Sequence, residues 1–153
     1  MKMKRLLAII ICTLSALLLF ASCGENDGYV IAIDESMHPF SGVDSSGEPV
    51  GFEVDILKAI AAEQGFKVKY YPTGYPEALE VLEKGDADAV MAAVIPTDEL
   101  AEKFDFTDMY YNNEYAVAVR KGKSEKFIEQ FNEGLSRLND SGKYKEIYTK
   151  YFG

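Results

Sequence analysis

Three short runs of β-branched and apolar residues, separated from one another by stretches of helical period, constrain this chain most. The first is Tyr29-Val30-Ile31-Ala32-Ile33-Asp34. It shows no polar alternation, so it reads as a strand covered on both faces. In residues 53–64, Val54, Leu57 and Ala61 form one row and Ile56 and Ile60 another, which gives a helix with a wide apolar face. Gly65 stands where a left-handed residue would end that helix. Residues 66–71 read as the second strand. Pro76 opens a second helix over 77–84, burying Leu79 and Leu82 and stopping at Gly85. Residues 88–94, Asp-Ala-Val-Met-Ala-Ala-Val, form the third apolar run. Strands that alternate with helices predict an α/β fold, its sheet mostly parallel and covered by helices on both faces.

The remaining elements follow the same logic. Thr97 can N-cap a short helix with Asp98 and Glu99 in its first turn. Residues 104–108 read as a connecting segment that leads to Tyr110-Tyr111, and 115–120 as a last strand. From Ser124 onward, Phe127, Ile128, Phe131, Leu135 and Leu138 keep a 3.6-residue period. Ser141-Gly142 breaks it, and Tyr144, Ile147, Tyr148 and Tyr151 make a second stripe. Both stripes are expected to pack against the core, closing the domain with two C-terminal helices.

The N-terminus has a different character. Met1-Lys2-Met3-Lys4-Arg5 is basic, and Leu6 begins an apolar run that ends at Phe20. At about 15 residues that run is short of the roughly 20 a spanning helix needs. It reads as a signal peptide, with Cys23 after the small residues Ala21 and Ser22. Residues 1–22 are therefore expected to be removed, residues 23–28 to serve as a short tether, and 29–153 to form the domain. Phe20-Ala21-Ser22-Cys23 is similar to a bacterial lipobox, which implies acylation of Cys23 and a membrane attachment outside the cytoplasm. Cys12 would be lost with the leader, so no disulfide can form within the remaining chain.

Charge excludes one class of partner. The net charge is −9, and loss of Lys2, Lys4 and Arg5 with no acid takes it to −12. Such a surface repels phosphate backbones, so nucleic acid is not a partner. His38 is the single histidine, and no His or Cys pair is spaced to hold zinc. Neither a phosphate loop nor a dinucleotide fingerprint is present, so no cofactor is expected.

Several segments, taken in order, carry a resemblance. They are Pro39-Phe40, Gly51-Phe52-Glu53-Val54-Asp55-Ile56, Gly85-Asp86-Ala87-Asp88-Ala89-Val90, and Phe104-Asp105-Phe106-Thr107-Asp108 with Tyr110-Tyr111. Val119-Arg120-Lys121-Gly122 and the stretch from Gly142-Lys143-Tyr144 to Tyr151-Phe152-Gly153 complete the set. The chain resembles bacterial extracellular solute-binding proteins of family 3, which serve polar amino-acid ABC importers and have the type II periplasmic-binding fold. The resemblance implies a small polar, amino-acid-like solute and an ABC permease as partners. In that family Tyr110-Tyr111 would lead into a second lobe, with the return near Tyr115. Here the two are joined through Asn112-Asn113-Glu114, so a single lobe is expected, with its ligand-facing loops uncovered on one side.

In open α/β sheets, ligands lie beyond the carboxyl ends of the strands. Asp34 stands at the first such end. The resemblance further implies that Met37 or Phe40 stacks on the ligand side chain and that Phe52 forms a second apolar wall. Ala93, Val94 and Ile95 would offer backbone groups to the ligand, and Thr97 would lie close by. Leu100 stands where the family usually has an arginine for the ligand carboxylate, and a usual hydroxyl near Val94 or Ile95 is absent. A lost charge-assisted hydrogen bond costs roughly 1.5–3 kcal/mol. Weak or absent binding of ordinary α-amino acids is therefore expected. Asp34 and His38 are the one candidate pair for an enzyme, which is not the expected reading. The alternative is a protein-interaction or homodimerising module derived from such a receptor.

Overall fold

The computed structural model describes residues 28–153, so the signal-peptide, Cys23 and tether expectations lie outside the described residues, Gly28 excepted. The elements run β1 (Tyr29–Asp34), β2 (Gly42–Val43), β3 (Pro49–Val50), α1 (Phe52–Gln64), β4 (Val68–Thr73), α2 (Tyr75–Lys84) and β5 (Ala89–Val94). They continue as α3 (Asp98–Lys103), β6 (Phe104–Phe106), β7 (Ala116–Arg120), α4 (Glu125–Asp140) and α5 (Lys143–Phe152). Five strands form one sheet in the order β4-β1-β5-β7-β6, and β2 pairs with β3 in a small hairpin.

β1 is parallel to β4 on one side and to β5 on the other. β7 is antiparallel to both β5 and β6. The α/β class with a helix-covered sheet holds, and its parallel part is the β4-β1-β5 half. A strand that returns through a tight turn, with no crossover helix, must run antiparallel. Phe104–Phe106, expected as a connecting segment, is an edge strand because β7 offers it a partner.

Alternation along the strands separates two cores. Ile31, Ile33, Ala89, Met91, Val117 and Val119 face α1, α4 and α5, together with Phe127, Phe131 and Leu138. Ala32, Val90, Ala92 and Ala118 face the other way, against Ala78, Val81 and Leu82 of α2. That second face is rich in alanine, which lets α2 lie close to the sheet. Leu79 is half-buried, and Val81 takes the buried place expected for it. β4 starts two residues later than the periodicity suggests, because Phe66 turns into the core against Tyr29 and Phe127. Pro72 is tolerated within β4 because that strand is an edge.

Two glycines set close approaches. A Cβ at Gly51 (φ 129°) would collide with the Phe40 carbonyl, so only glycine lets the β1–α1 loop feed into α1. A Cβ at Gly134 would lie 2.7 Å from Cγ2 of Ile60, so α4 crosses α1 at a small separation. α1 ends in left-handed Gly65, and the Thr97 side chain accepts a hydrogen bond from the Leu100 amide at 3.2 Å, both as the sequence indicates.

Candidate functional site

The carboxyl ends of β1 and β5 lie side by side, since the two strands are parallel neighbours. β5 is irregular there. Val90 pairs with Ala118 but Val94 pairs with Ala116, so β5 spends more residues than β7 over the same span. A bulge of this kind bends a strand and re-aims its groups. Within it Ala93 has φ 47°, a left-handed conformation that is rare for a residue with a Cβ.

Glu53 underlies this bulge. It is fully buried, and its Oε1 accepts the Ala93 amide at 2.7 Å and the Tyr110 hydroxyl at 2.5 Å. Burial pushes its carboxyl above the usual carboxylate range, and the nearby Asp34 charge acts in the same direction. The hydrogen bonds from Tyr110 and Ala93 oppose that rise without cancelling it. The sequence reading missed Glu53 as a site residue. A signal existed: Glu53, Ile56, Leu57 and Ile60 fall at i, i+3, i+4 and i+7, one row of the buried face. An acid in such a row needs partners, which here are the β5 end and Tyr110.

This changes the role of Ala93. Its N–H is occupied by Glu53 and is not free for a solute. Val94 is buried and paired opposite Ala116. Ile95 is the exposed member of the trio, at 52%. Thr97 is also exposed, with its hydroxyl engaged as the N-cap. Leu100 packs on the second core beneath α3.

At the β1 end, Asp34 is buried, and its Oδ1 accepts from the amide and the hydroxyl of Ser36 at 2.8 and 2.9 Å. Its carboxylate is thus largely committed to shaping the turn. The Met37 carbonyl accepts the amides of Phe40 and Ser41 at 2.8 and 3.1 Å, and the Met37 side chain is half-buried. The His38 ring occupies the space a Cβ on Gly42 would fill, so it packs over the β2 hairpin.

Phe40 and Phe52 belong to an aromatic cluster. Phe40 sits 4.9 Å from Tyr111, 5.4 Å from Tyr115 and 5.4 Å from Phe152, ring centre to ring centre. Phe52 contacts Phe40, Tyr111, Tyr144, Tyr148, Tyr151 and Phe152. Phe52 is fully buried and offers no surface to a solute, so the expected second wall is a core residue. The half-buried Phe40 is held from the side by the two tyrosines. These tyrosines flank the join at 112–114. Asn112 (φ 45°) and Asn113 (φ 55°) are both left-handed, and the Glu114 amide donates to the Tyr111 carbonyl at 2.9 Å. That is a type I′ turn, which closes hairpins. Tyr111 and Tyr115 stack across it at 5.3 Å.

Two surface grooves of about 540 and 620 Å³ lie between α1 and α5, lined by Lys58, Ala59, Lys143 and Glu146 among others. Neither involves a strand-end loop. Among the described residues no cluster of His, Cys, Asp or Glu could hold a metal ion, and no helix is long and apolar enough to cross a membrane.

Comparison with known proteins identifies the family. The "Probable histidine-binding protein" of Neisseria gonorrhoeae is 34% identical over 114 residues, 74% of this chain and 41% of that protein. The ABC transporter glutamine-binding protein GlnH of Bacillus subtilis is 27% identical over 165 residues, 92% of this chain and 60% of its own length. The chain spans about half the length of the curated relatives it matches. A point mutant of the arginine-bound form of domain 1 from TmArgBP shares the fold at a TM-score of 0.65 and 26% identity, covering 73% of this chain and 92% of that one. Residues 29–153 match the model of bacterial extracellular solute-binding proteins, family 3, and the chain belongs to that family.

Proposed function

We propose that the chain is the solute-binding component of an amino-acid-type ABC importer, working outside the cytoplasm and without catalysis. The observation that carries this reading is the family match over the whole described lobe, including the bulged β5 end. The similar TmArgBP domain, a single domain, is known in an arginine-bound form, which supports binding by one lobe. Phe40, the exposed Ile95 and the loop from Asp34 to Met37 would form the open floor of the pocket.

Affinity is expected to be low. Leu100 supplies no guanidinium for an α-carboxylate, and an uncovered floor leaves every polar contact competing with water. Titration of the purified protein with L-arginine, L-histidine and L-glutamine should give a millimolar dissociation constant for at least one. At ten times that constant the folded state gains about 1.4 kcal/mol, visible as a raised melting temperature. No heat and no shift with all three would overturn the solute-binding reading. A micromolar constant would overturn the argument from Leu100 and the open lobe.

Attachment through Cys23 belongs to the same proposal. Radiolabelled palmitate fed to cells should enter the wild-type protein, and Cys23→Ser should abolish incorporation; labelling that survives the substitution removes the anchor.

A second reading is favoured by one observation. Ile95 and Met109 are 52% and 48% exposed, and both follow strands that point to the same end of the sheet. Two such ends could meet in a homodimer and build a cleft from two lobes. Light scattering on the titrated samples separates the readings, since a monomer that binds solute leaves the dimer without support.

A further inference from the structure

Two polar side-chain atoms behind the floor of the site are buried without a hydrogen-bond partner: Oε2 of Glu53 and Oγ of Ser41. Both residues are fully buried. The Ser41 hydroxyl lies near enough to the carboxyl group to favour its charged form slightly, without completing a hydrogen bond. The other oxygen, Oε1, carries both contacts of the group, from the Ala93 amide and the Tyr110 hydroxyl.

Two donors on one oxygen and none on the other fits a neutral carboxyl group. A carboxylate would leave a charged oxygen buried and unpaired, which is strongly unfavourable. A proton on Oε2 gives that atom a donor, and Ser41 Oγ is the free acceptor close by. One proton then satisfies both orphan atoms. The groups facing Glu53 are Asp34 from β1, Ser41 from the loop and Tyr110 from the segment before the hairpin. None of them is a cation. Tyr115 adds a further acidic hydroxyl near Tyr110, whose own titration burial pushes well upward.

Glu53 joins three parts of the lobe. It reaches from the first turn of α1 to the strained residue of β5. Through Tyr110 it also reaches α5, since the Tyr110 carbonyl accepts the Tyr144 hydroxyl at 2.6 Å. A left-handed alanine costs on the order of 1 kcal/mol and persists only where its surroundings over-determine it.

We propose that Glu53 is the positioning residue of the site: its buried carboxyl group holds Ala93 in the left-handed conformation and so aims the chain at Ile95 toward the solute. The link to a solute rests on the function proposed above; the hold on Ala93 does not.

Amide hydrogen exchange at Ala93 reads the hold directly. In wild type the Ala93 amide should be protected, and Glu53→Ala should speed its exchange by roughly a hundredfold or more. Glu53→Gln keeps an acceptor for Ala93 and a donor for Ser41, so exchange should stay within about tenfold of wild type. Unchanged protection in E53A, or equal loss in E53Q and E53A, overturns the proposal. Should E53A fail to fold, E53Q and the pH profile carry the test.

The sign of that profile follows from linkage. A carboxyl group raised in the folded state binds its proton more tightly there than in the unfolded chain. Its stabilisation is complete below the unfolded value near 4.5 and is lost as pH rises through the higher folded value. Across that window the folding constant of wild type should fall relative to E53Q, by up to tenfold per pH unit. A constant ratio overturns the proposal. So does strict additivity between E53A and Ala93→Gly, because glycine removes the strain that Glu53 is there to hold.

L-Arginine titrations of the same variants separate the two levels. Weaker binding in E53A than in E53Q supports the proposal together with the solute reading. An Ala93 amide that responds as described, in a protein that binds no amino acid, keeps the hold and sinks the solute reading alone.

Discussion

Replacing Phe52 with alanine is expected to cost about 3–5 kcal/mol, read as a lower urea midpoint at unchanged slope. The ring is fully buried and touches six other aromatic rings, with centres 5.2–6.2 Å away. Removing it leaves a cavity whose lining comes from the β1–α1 loop, the Tyr111 hairpin and α5, three segments that cannot collapse together. The loss is a large share of the roughly 5–15 kcal/mol that holds a domain folded. Phe52→Leu keeps most of the volume and should cost much less. A ligand wall would behave otherwise, since its truncation would weaken binding and leave the urea midpoint nearly where it was. Stability in F52A within about 0.5 kcal/mol of wild type would refute the core assignment.

The second large effect is expected at the join. Asn112 and Asn113 both hold positive φ, which asparagine tolerates and β-branched residues do not. Exchanging both for valine should destabilise the lobe by about 2–4 kcal/mol, at 1–2 kcal/mol for each left-handed residue. Asn113→Gly should be neutral or slightly stabilising, because Asn-Gly is the favoured type I′ pair. The double valine variant should also lose near-ultraviolet dichroism from the Tyr111–Tyr115 stack. Retention of full stability with both valines would show that the turn is not what closes the lobe.

These two effects meet in one place. The turn brings Tyr111 and Tyr115 against Phe40, and α5 brings Tyr148 and Phe152 against Phe52. The segment that leaves toward a second lobe in the family resemblance is therefore sealed here by a short hairpin. The tip of that hairpin is polar, with Asn112, Asn113 and Glu114 exposed, and the half-buried Tyr111 and Tyr115 support it from behind. Phe40, at its margin, is the aromatic side chain from the expected site that remains half-exposed.

Much of the fold could be read directly. β1, β5 and β7 are apolar runs, and the Gly65 and Thr97 caps have unambiguous local chemistry. The stripes of α4 and α5 pack as their periodicity requires. Less of the site was legible. Asp34, Met37, Phe40, Ile95 and Thr97 stand at the strand ends as expected, but the Ala93 amide is taken and Phe52 is interior. Glu53 and Tyr110 were overlooked because an acid in a first helical turn and a tyrosine before a turn each have an ordinary local explanation.

Local chemistry by itself determined the helices, the caps and the alternation of strand and helix that makes this an α/β lobe. Those signals depend on neighbours within a few residues, which the order of amino acids states outright. Only the tertiary structure decided that β7 runs antiparallel, that β6 has a partner, and that Glu53 supports Ala93, 40 positions further along the chain. Such facts depend on which distant groups share a dry interior, where one carboxyl group must find its hydrogen bonds or keep its proton.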